Sequence, residues 1–192
     1  MTDIHAAKTA LRTQLTAARR ARDAAEVADA ALAIRDHALA EEAVRRADTV
    51  AAYISVGSEP GTGLLVDALR AAGKRVLLPV TLRSMDLDWA PYEGPSSLAP
   101  AGFGLLEPTT PRLGVEGIAA ADVVLAPALA VSEAGVRIGK GGGCYDRVLA
   151  RVPSGTPILA LLYDDETGRD VPVEPHDRAV TGWLTPSGLT RA

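Results

Sequence analysis

Apolar positions divide the chain into two regimes. Ile4, Ala7, Leu11, Leu15 and Ala18 return every three or four residues, with Lys8, Arg12, Arg19 and Arg20 between them. That spacing predicts an amphipathic helix with one apolar stripe. A second, Ala-rich stretch from about Glu26 to Ala47 predicts another helix, because its acidic start and its Arg45-Arg46 end suit the helix dipole. Beyond it the apolar residues gather in short unbroken runs: Thr49–Val56 (TVAAYISV), Arg75–Val80 (RVLLPV), Val123–Ala126 (VVLA), Pro157–Tyr163 (PILALLY) and Ala179–Leu184 (AVTGWL). Runs of this length predict buried strands.

The segments between the runs supply the connections. Gly57–Gly63 (GSEPGTG) reads as a loop. Thr62 is placed to cap a helix over Gly63–Ala72, and Gly73 to end it. Strand, loop, helix and strand in succession make a βαβ unit, which favours a parallel sheet. Met85–Tyr92 (MDLDWAPY) alternates weakly, as an edge strand would, and Tyr145–Arg151 reads as helical. Glu93–Gly117, rich in Gly and Pro, predicts a long surface connection of the kind that often carries function. No repeat or linker interrupts the pattern. The expectation is one α/β domain over residues 1–192, three-layered and Rossmann-like, with a mainly parallel sheet.

Composition narrows the class. The chain has 192 residues, 47% of them hydrophobic, and a formal net charge of -4. That excludes a disordered chain and argues against a bulk nucleic-acid binder, which presents a basic surface. A single Cys, Cys144, allows neither an internal disulfide nor a Cys-rich zinc site. No apolar stretch approaches the roughly 18 residues that span a bilayer, so no membrane partner is expected. The charged N-terminus does not read as a secretory signal, and a cytoplasmic location is expected by default.

Candidate chemistry concentrates in Arg137–Arg147, RIGKGGGCYDR. Gly139, Gly141, Gly142 and Gly143 free the backbone for close approach to a ligand, and successive exposed N–H groups can form an anion-binding nest. Lys140 and the flanking Arg residues supply positive charge, and Asp146 a carboxylate for Mg²⁺. The P-loop pattern fails because Gly141 follows Lys140; the dinucleotide pattern fails because Cys144 stands at its third Gly. A tight structural turn is the competing reading. Cys144 reads as a structural or ligand-lining residue rather than a nucleophile. Glu59 follows the first strand, where ligands of parallel sheets bind; a solvated loop carboxylate is the alternative. His176-Asp177 lies in a Pro-rich loop and is either a site or surface chemistry. Lys8 and Arg12 share a helix face and, on composition alone, form a solvated basic stripe.

GKGGGCYDR resembles the Gly-rich signature of the 5-formyltetrahydrofolate cyclo-ligase (5,10-methenyltetrahydrofolate synthetase) family. KTALR (Lys8–Arg12), YISVGSEPGT (Tyr53–Thr62), GKRVLLP (Gly73–Pro79), ADVVLAPALA (Ala121–Ala130) and VPVEPHD (Val171–Asp177) follow in the family's order. The resemblance implies a fold similar to the sugar-phosphate isomerase/CoA-transferase-like group. It also implies ATP- and Mg²⁺-dependent cyclisation of 5-formyltetrahydrofolate to 5,10-methenyltetrahydrofolate by a monomer. Carried over by position, it implies ATP contacts at Lys8, Arg12, Arg137, Ile138, Gly139, Lys140, Gly141, Gly142, Gly143, Cys144 and Tyr145. It implies folate contacts at Ile54, Glu59 and Lys140 to Cys144, Mg²⁺ ligands at Asp146 and Asp177, and a phosphoryl-stabilising role for Lys140. The chain departs from the family's pattern at Cys144, where Tyr is frequent, and at Val131, where Phe is frequent. A phosphosugar isomerase-like enzyme or a non-catalytic sugar-phosphate-sensing domain would explain mainly the glycine segment.

Overall fold

The computed structural model describes residues 4–175 and 177–192. In chain order its helices and strands begin α1 (Ile4–Arg20), α2 (Ala24–Ala40), α3 (Glu42–Arg46), β1 (Thr49–Ala51), α4 (Gly63–Ala71), β2 (Arg75–Thr81) and β3 (Leu87–Pro91). They continue with β4 (Leu98–Pro100), β5 (Leu106–Pro108), β6 (Val123–Pro127), β7 (Ala130–Val131), β8 (Arg137–Ile138), α5 (Cys144–Leu149), β9 (Ile158–Leu161), β10 (Gly182–Thr185) and β11 (Gly188–Arg191).

One seven-stranded sheet, in the order β11-β10-β9-β6-β1-β2-β3, forms the centre. The five inner strands are parallel; β3 and β11 close the two edges in antiparallel fashion. Strand alternation sorts the core into layers. Val50, Val76, Leu78, Val123, Leu125, Leu159 and Leu161 point to the side of α2 and α4. Their neighbours Ala51, Leu77, Val124 and Ala126 point to Trp89, Ile118 and the Val148-Leu149 end of α5. Strands buried on both faces have no polar positions to alternate with, which is why they read as unbroken apolar runs.

Three expectations are corrected. The second predicted helix is two helices broken at Glu41, whose backbone N–H closes the end of α2 and whose side chain accepts from the Ala43 N–H at the start of α3. Thr62 stands at the start of α4 without capping it through its side chain. Its hydroxyl instead donates to the Tyr53 carbonyl and accepts from the Ser55 N–H, tying the loop after β1 into a closed turn. Finally, α1 is rotated from the orientation its apolar spacing predicts. Ile4 and Ala18 are exposed, whereas Lys8, Leu15 and Arg19 are buried. Each buried cation on α1 has a carboxylate partner elsewhere in the chain, which offsets the cost of taking a charge out of water.

Ordered by sequence, the inner strands run second, first, third, fourth, fifth across the sheet. The reversal falls between β1 and β6, and a crevice opens there outside the carboxyl ends of the strands.

Candidate functional site

That crevice holds a cavity of about 430 Å³. Residues after β1 (Tyr53, Ile54, Val56, Glu59) and after β6 (Ala128, Leu129) form its floor. Pro79, Met85 and Leu87 line one wall, and Phe103, Leu105 and Leu106, from the long connection, complete an apolar side. Gly139–Asp146 completes the lining, with the Met85 side chain close beside Gly142.

The glycine segment joins β8 to α5. Gly141 and Gly143 adopt φ of 101° and 64°, open to glycine and strained for other residues. Three guanidinium groups press on it. A Cβ added at Gly139 would lie 3.3 Å from Arg137 Nη1, one at Gly141 would lie 3.4 Å from Arg12 Cζ, and one at Gly143 would lie 3.2 Å from Arg147 Nη1. The Arg12 Nε–H donates to the Gly139 carbonyl at 2.9 Å. Among the described residues, no backbone N–H from Lys140 to Gly143 donates a hydrogen bond. Free amides surrounded by cations are the makings of an anion nest.

Lys140 extends from this loop and pairs with Glu59 across the cavity at 2.7 Å. The lysine is more than half exposed and the carboxylate almost buried, so Lys140 is the mobile partner. Glu59 is held from behind by the Val56 N–H at 2.9 Å. The residues expected from sequence to meet the folate and the phosphoryl group, Glu59 and Lys140, are therefore direct neighbours.

Three buried polar atoms of cavity-lining residues, Tyr53 Oη, Arg137 Nε and Tyr145 Oη, have no hydrogen-bond partner among the described residues. Burial, and after it the Glu59 charge, hold both phenols above the usual phenol range. Burial pulls the Arg137 guanidinium down, against the pull of Asp146. A polar atom buried without a partner costs stability.

The other expected residues fall into place unequally. Asp146 lies in the cavity wall, one oxygen accepting from Arg137 at 2.6 Å. Asp177 lies outside the lining and forms an ion pair with Lys8 at 2.6 Å. Lys8 is therefore no solvated stripe: it is 4% exposed, and hydrogen bonds to Asp177 and Glu174 outweigh burial and raise its pKa. Ile138 packs its side chain into the core with Leu15 and Leu129 rather than into the cavity. Cys144 is a free thiol in the lining, its Sγ 3.7 Å from the Gly142 carbonyl. His176 lies outside the described residues. Sequence reasoning passed over Tyr53, Arg19, Met85, Phe103 and Leu106, which reach the cavity from four separate segments.

No group of three or more His, Cys, Asp or Glu side chains able to hold a metal occurs among the described residues. Asp146 nevertheless fits the way Mg²⁺ is commonly held, through one or two carboxylates and the oxygens of a bound phosphate.

Fold and site together define an α/β protein with a glycine loop flanked by arginines and an apolar cavity lining at the carboxyl ends of its parallel strands. The sequence model of the 5-formyltetrahydrofolate cyclo-ligase family matches residues 4–186, and the chain belongs to that family. A 5-formyltetrahydrofolate cyclo-ligase of Mycolicibacterium smegmatis is 47% identical over 72% of this chain and 73% of its own length. The Escherichia coli K12 5-formyltetrahydrofolate cyclo-ligase is 33% identical over 73% of this chain and 79% of its own. Among solved structures, the 5,10-methenyltetrahydrofolate synthetase of Aquifex aeolicus superposes with a TM-score of 0.83 at 22% identity, covering 96% of this chain and 92% of that one. That likeness is one of fold.

Proposed function

We propose that this chain catalyses the ATP-driven cyclisation of 5-formyltetrahydrofolate to 5,10-methenyltetrahydrofolate, releasing ADP and phosphate. The observation that carries the reading is the mixed cavity: one lining combines apolar side chains with a cationic glycine loop and the Lys140–Glu59 pair. A phosphosugar would use the loop and leave the apolar wall uncovered.

The chemistry follows from the weakness of the substrate. An N-formyl group is an amide, and its carbon is a poor electrophile. Transfer of the γ-phosphoryl group to the formyl oxygen gives an iminium phosphate at N5. N10 then adds to that carbon and loses its proton. Departure of phosphate leaves the methenyl bridge. Catalysis of such transfers is mostly positioning and charge neutralisation. Arg12 and Arg137 flank the loop where the phosphates would lie. Lys140 would leave Glu59 for the transferred phosphoryl group, and the carboxylate would then be free to accept from the N–H groups of the folate ring. Asp146, a carboxylate of the cavity lining, would hold Mg²⁺ together with the phosphates, and Asp177, paired with Lys8, is the second ligand the family resemblance implies. Mg²⁺ so held would neutralise phosphate charge.

Lys140→Ala tests the assignment. Turnover should fall by about 100-fold or more, in the range of a removed transition-state contact, while folate affinity changes little. Equal loss of turnover and folate affinity would remove Lys140 from the phosphoryl transfer.

A further inference from the structure

We infer that Phe103 positions the substrate: its ring stacks on the aminobenzoyl ring of 5-formyltetrahydrofolate at the cavity mouth and so holds N10 toward the formyl carbon. This role deepens the reading above and rests on it.

Phe103 is the chain's one Phe and stands between Gly102 and Gly104. It forms the tip of the β4–β5 hairpin, whose strands pair from Leu98–Pro108 to Pro100–Leu106. The Ala101 N–H donates to the Leu105 carbonyl at 2.9 Å and the Leu105 N–H to the Gly102 carbonyl at 3.1 Å, so the tip has a fixed shape. At that tip Phe103 takes a φ of 61°. Backbone sterics in this left-handed region favour Gly and penalise a bulky side chain. The ring is also 84% exposed, although it lines the cavity. An exposed ring adds little to the packing of the protein, so neither the backbone nor the core accounts for a Phe here.

A second residue repeats the pattern. Among the described residues, only Met85 shares a positive φ without being Gly, and it too is an apolar residue of the cavity lining. It belongs to the turn between β2 and β3, its N–H bonded to the Leu82 carbonyl and its own carbonyl accepting from Arg147 at 2.5 Å. Strain of this kind persists where the surrounding structure holds it, and it gathers at ligand sites. Two turns from separate segments thus hold apolar side chains at one cavity against the preference of their backbones.

The chemistry of the substrate says which part meets Phe103. Lys140, which serves the phosphoryl group, is more than half exposed, so the formyl group on N5 lies near the mouth. The ring carbon bearing the N10 arm is bonded to N5, and the arm begins at the mouth too. Beyond its aminobenzoyl ring comes a glutamate whose charges stay in water. The flat ring between them crosses the mouth, where an exposed aromatic side chain of the lining is placed to pair with it. N10 is bonded directly to that ring. Holding the ring holds the nucleophile against its electrophile, which raises rate as well as affinity.

The test compares Phe103→Ala and Phe103→Tyr with the parent chain. Dissociation constants are measured without ATP for 5-formyltetrahydrofolate and for 5-formyl-6-methyltetrahydropterin, which lacks the aminobenzoyl arm. Melting temperature and kcat are measured beside them. Phe103→Ala should bind the folate about tenfold more weakly, in the range of one lost aromatic pair with its buried area, and bind the pterin as the parent does. Its kcat should fall by about tenfold or more, and it should melt no lower. Phe103→Tyr should restore both affinity and kcat to within about twofold, since it keeps the ring. Unchanged affinity for the folate, equal weakening for both ligands, an unchanged kcat, a lower melting temperature or no rescue by Tyr would each overturn the role. A parent chain that binds the folate but not the pterin would overturn the placing of the pterin inside the cavity, and the role with it. A parent chain that binds neither would instead overturn the reading on which the role rests.

Discussion

The phenols of this chain hold their protons unusually tightly, and that has a consequence for stability. All four tyrosines, Tyr53, Tyr92, Tyr145 and Tyr163, are pushed above the ordinary phenol range, chiefly by burial. Tyr92, which also donates to Asp67, reaches about 12. A raised folded-state pKa means that the unfolded chain ionises first. The contribution is therefore whole below about 10, where a free phenol begins to lose its proton, and shrinks as pH rises through the folded values. Tyrosinate absorbance of the native protein should stay low at pH 10, and stability to urea should fall between about pH 10 and 12. A native chain showing several tyrosinates at pH 10 would contradict this burial. The same residues mark what the sequence did not disclose. Glu59 and Lys140 were legible from their places after a strand and within a glycine cluster. Tyr53 and Arg19 were not, because an apolar run and a helical Arg carry no local sign that folding aims them at one cavity.

At the scale of elements, α1 shows why periodicity can place a helix and still mistake its face. The apolar spacing is real, but Arg19 is buried by a bidentate pair with Glu166, at 2.6 and 2.8 Å, and by the Ala128 carbonyl at 2.6 Å. Glu166 also accepts from the Tyr163 N–H at 2.9 Å. This knot clamps α1 against the segments after β6 and β9, and Arg19, Ala128 and Leu129 all border the cavity. Glu166→Ala should destabilise the protein by about 3 kcal/mol or more, since it strands a buried guanidinium. Urea unfolding measures this; a change under about 1 kcal/mol would show that water reaches Arg19 freely. Other elements escaped the sequence because they are small or polar. The β4–β5 and β7–β8 hairpins pair three and two residues per strand, too few for a period to register. The last edge strand, β11, is largely exposed and has no apolar run.

For the whole molecule, the inner parallel strands were legible as apolar runs, and the βαβ unit followed from their spacing. The strand order, and with it the crevice between β1 and β6, was not, because the sequence does not record which strands lie side by side. Once the order is known, the cavity is where a parallel sheet must have one. The long connection over residues 93–117 supplies Phe103, Leu105 and Leu106 to its apolar side, and an acidic anchor too, since Glu107 accepts from the Thr81 N–H at 2.8 Å. The presence of that side and the cationic loop in one lining is the ground for proposing one site for two substrates. The most direct test is to follow methenyl absorbance and phosphate release together, from acidic to neutral pH, with 5-formyltetrahydrofolate and ATP, with and without Mg²⁺. The account predicts equal amounts of both products, and neither when ATP or Mg²⁺ is withheld. Phosphate release without methenyl product, or methenyl product without ATP, would contradict it.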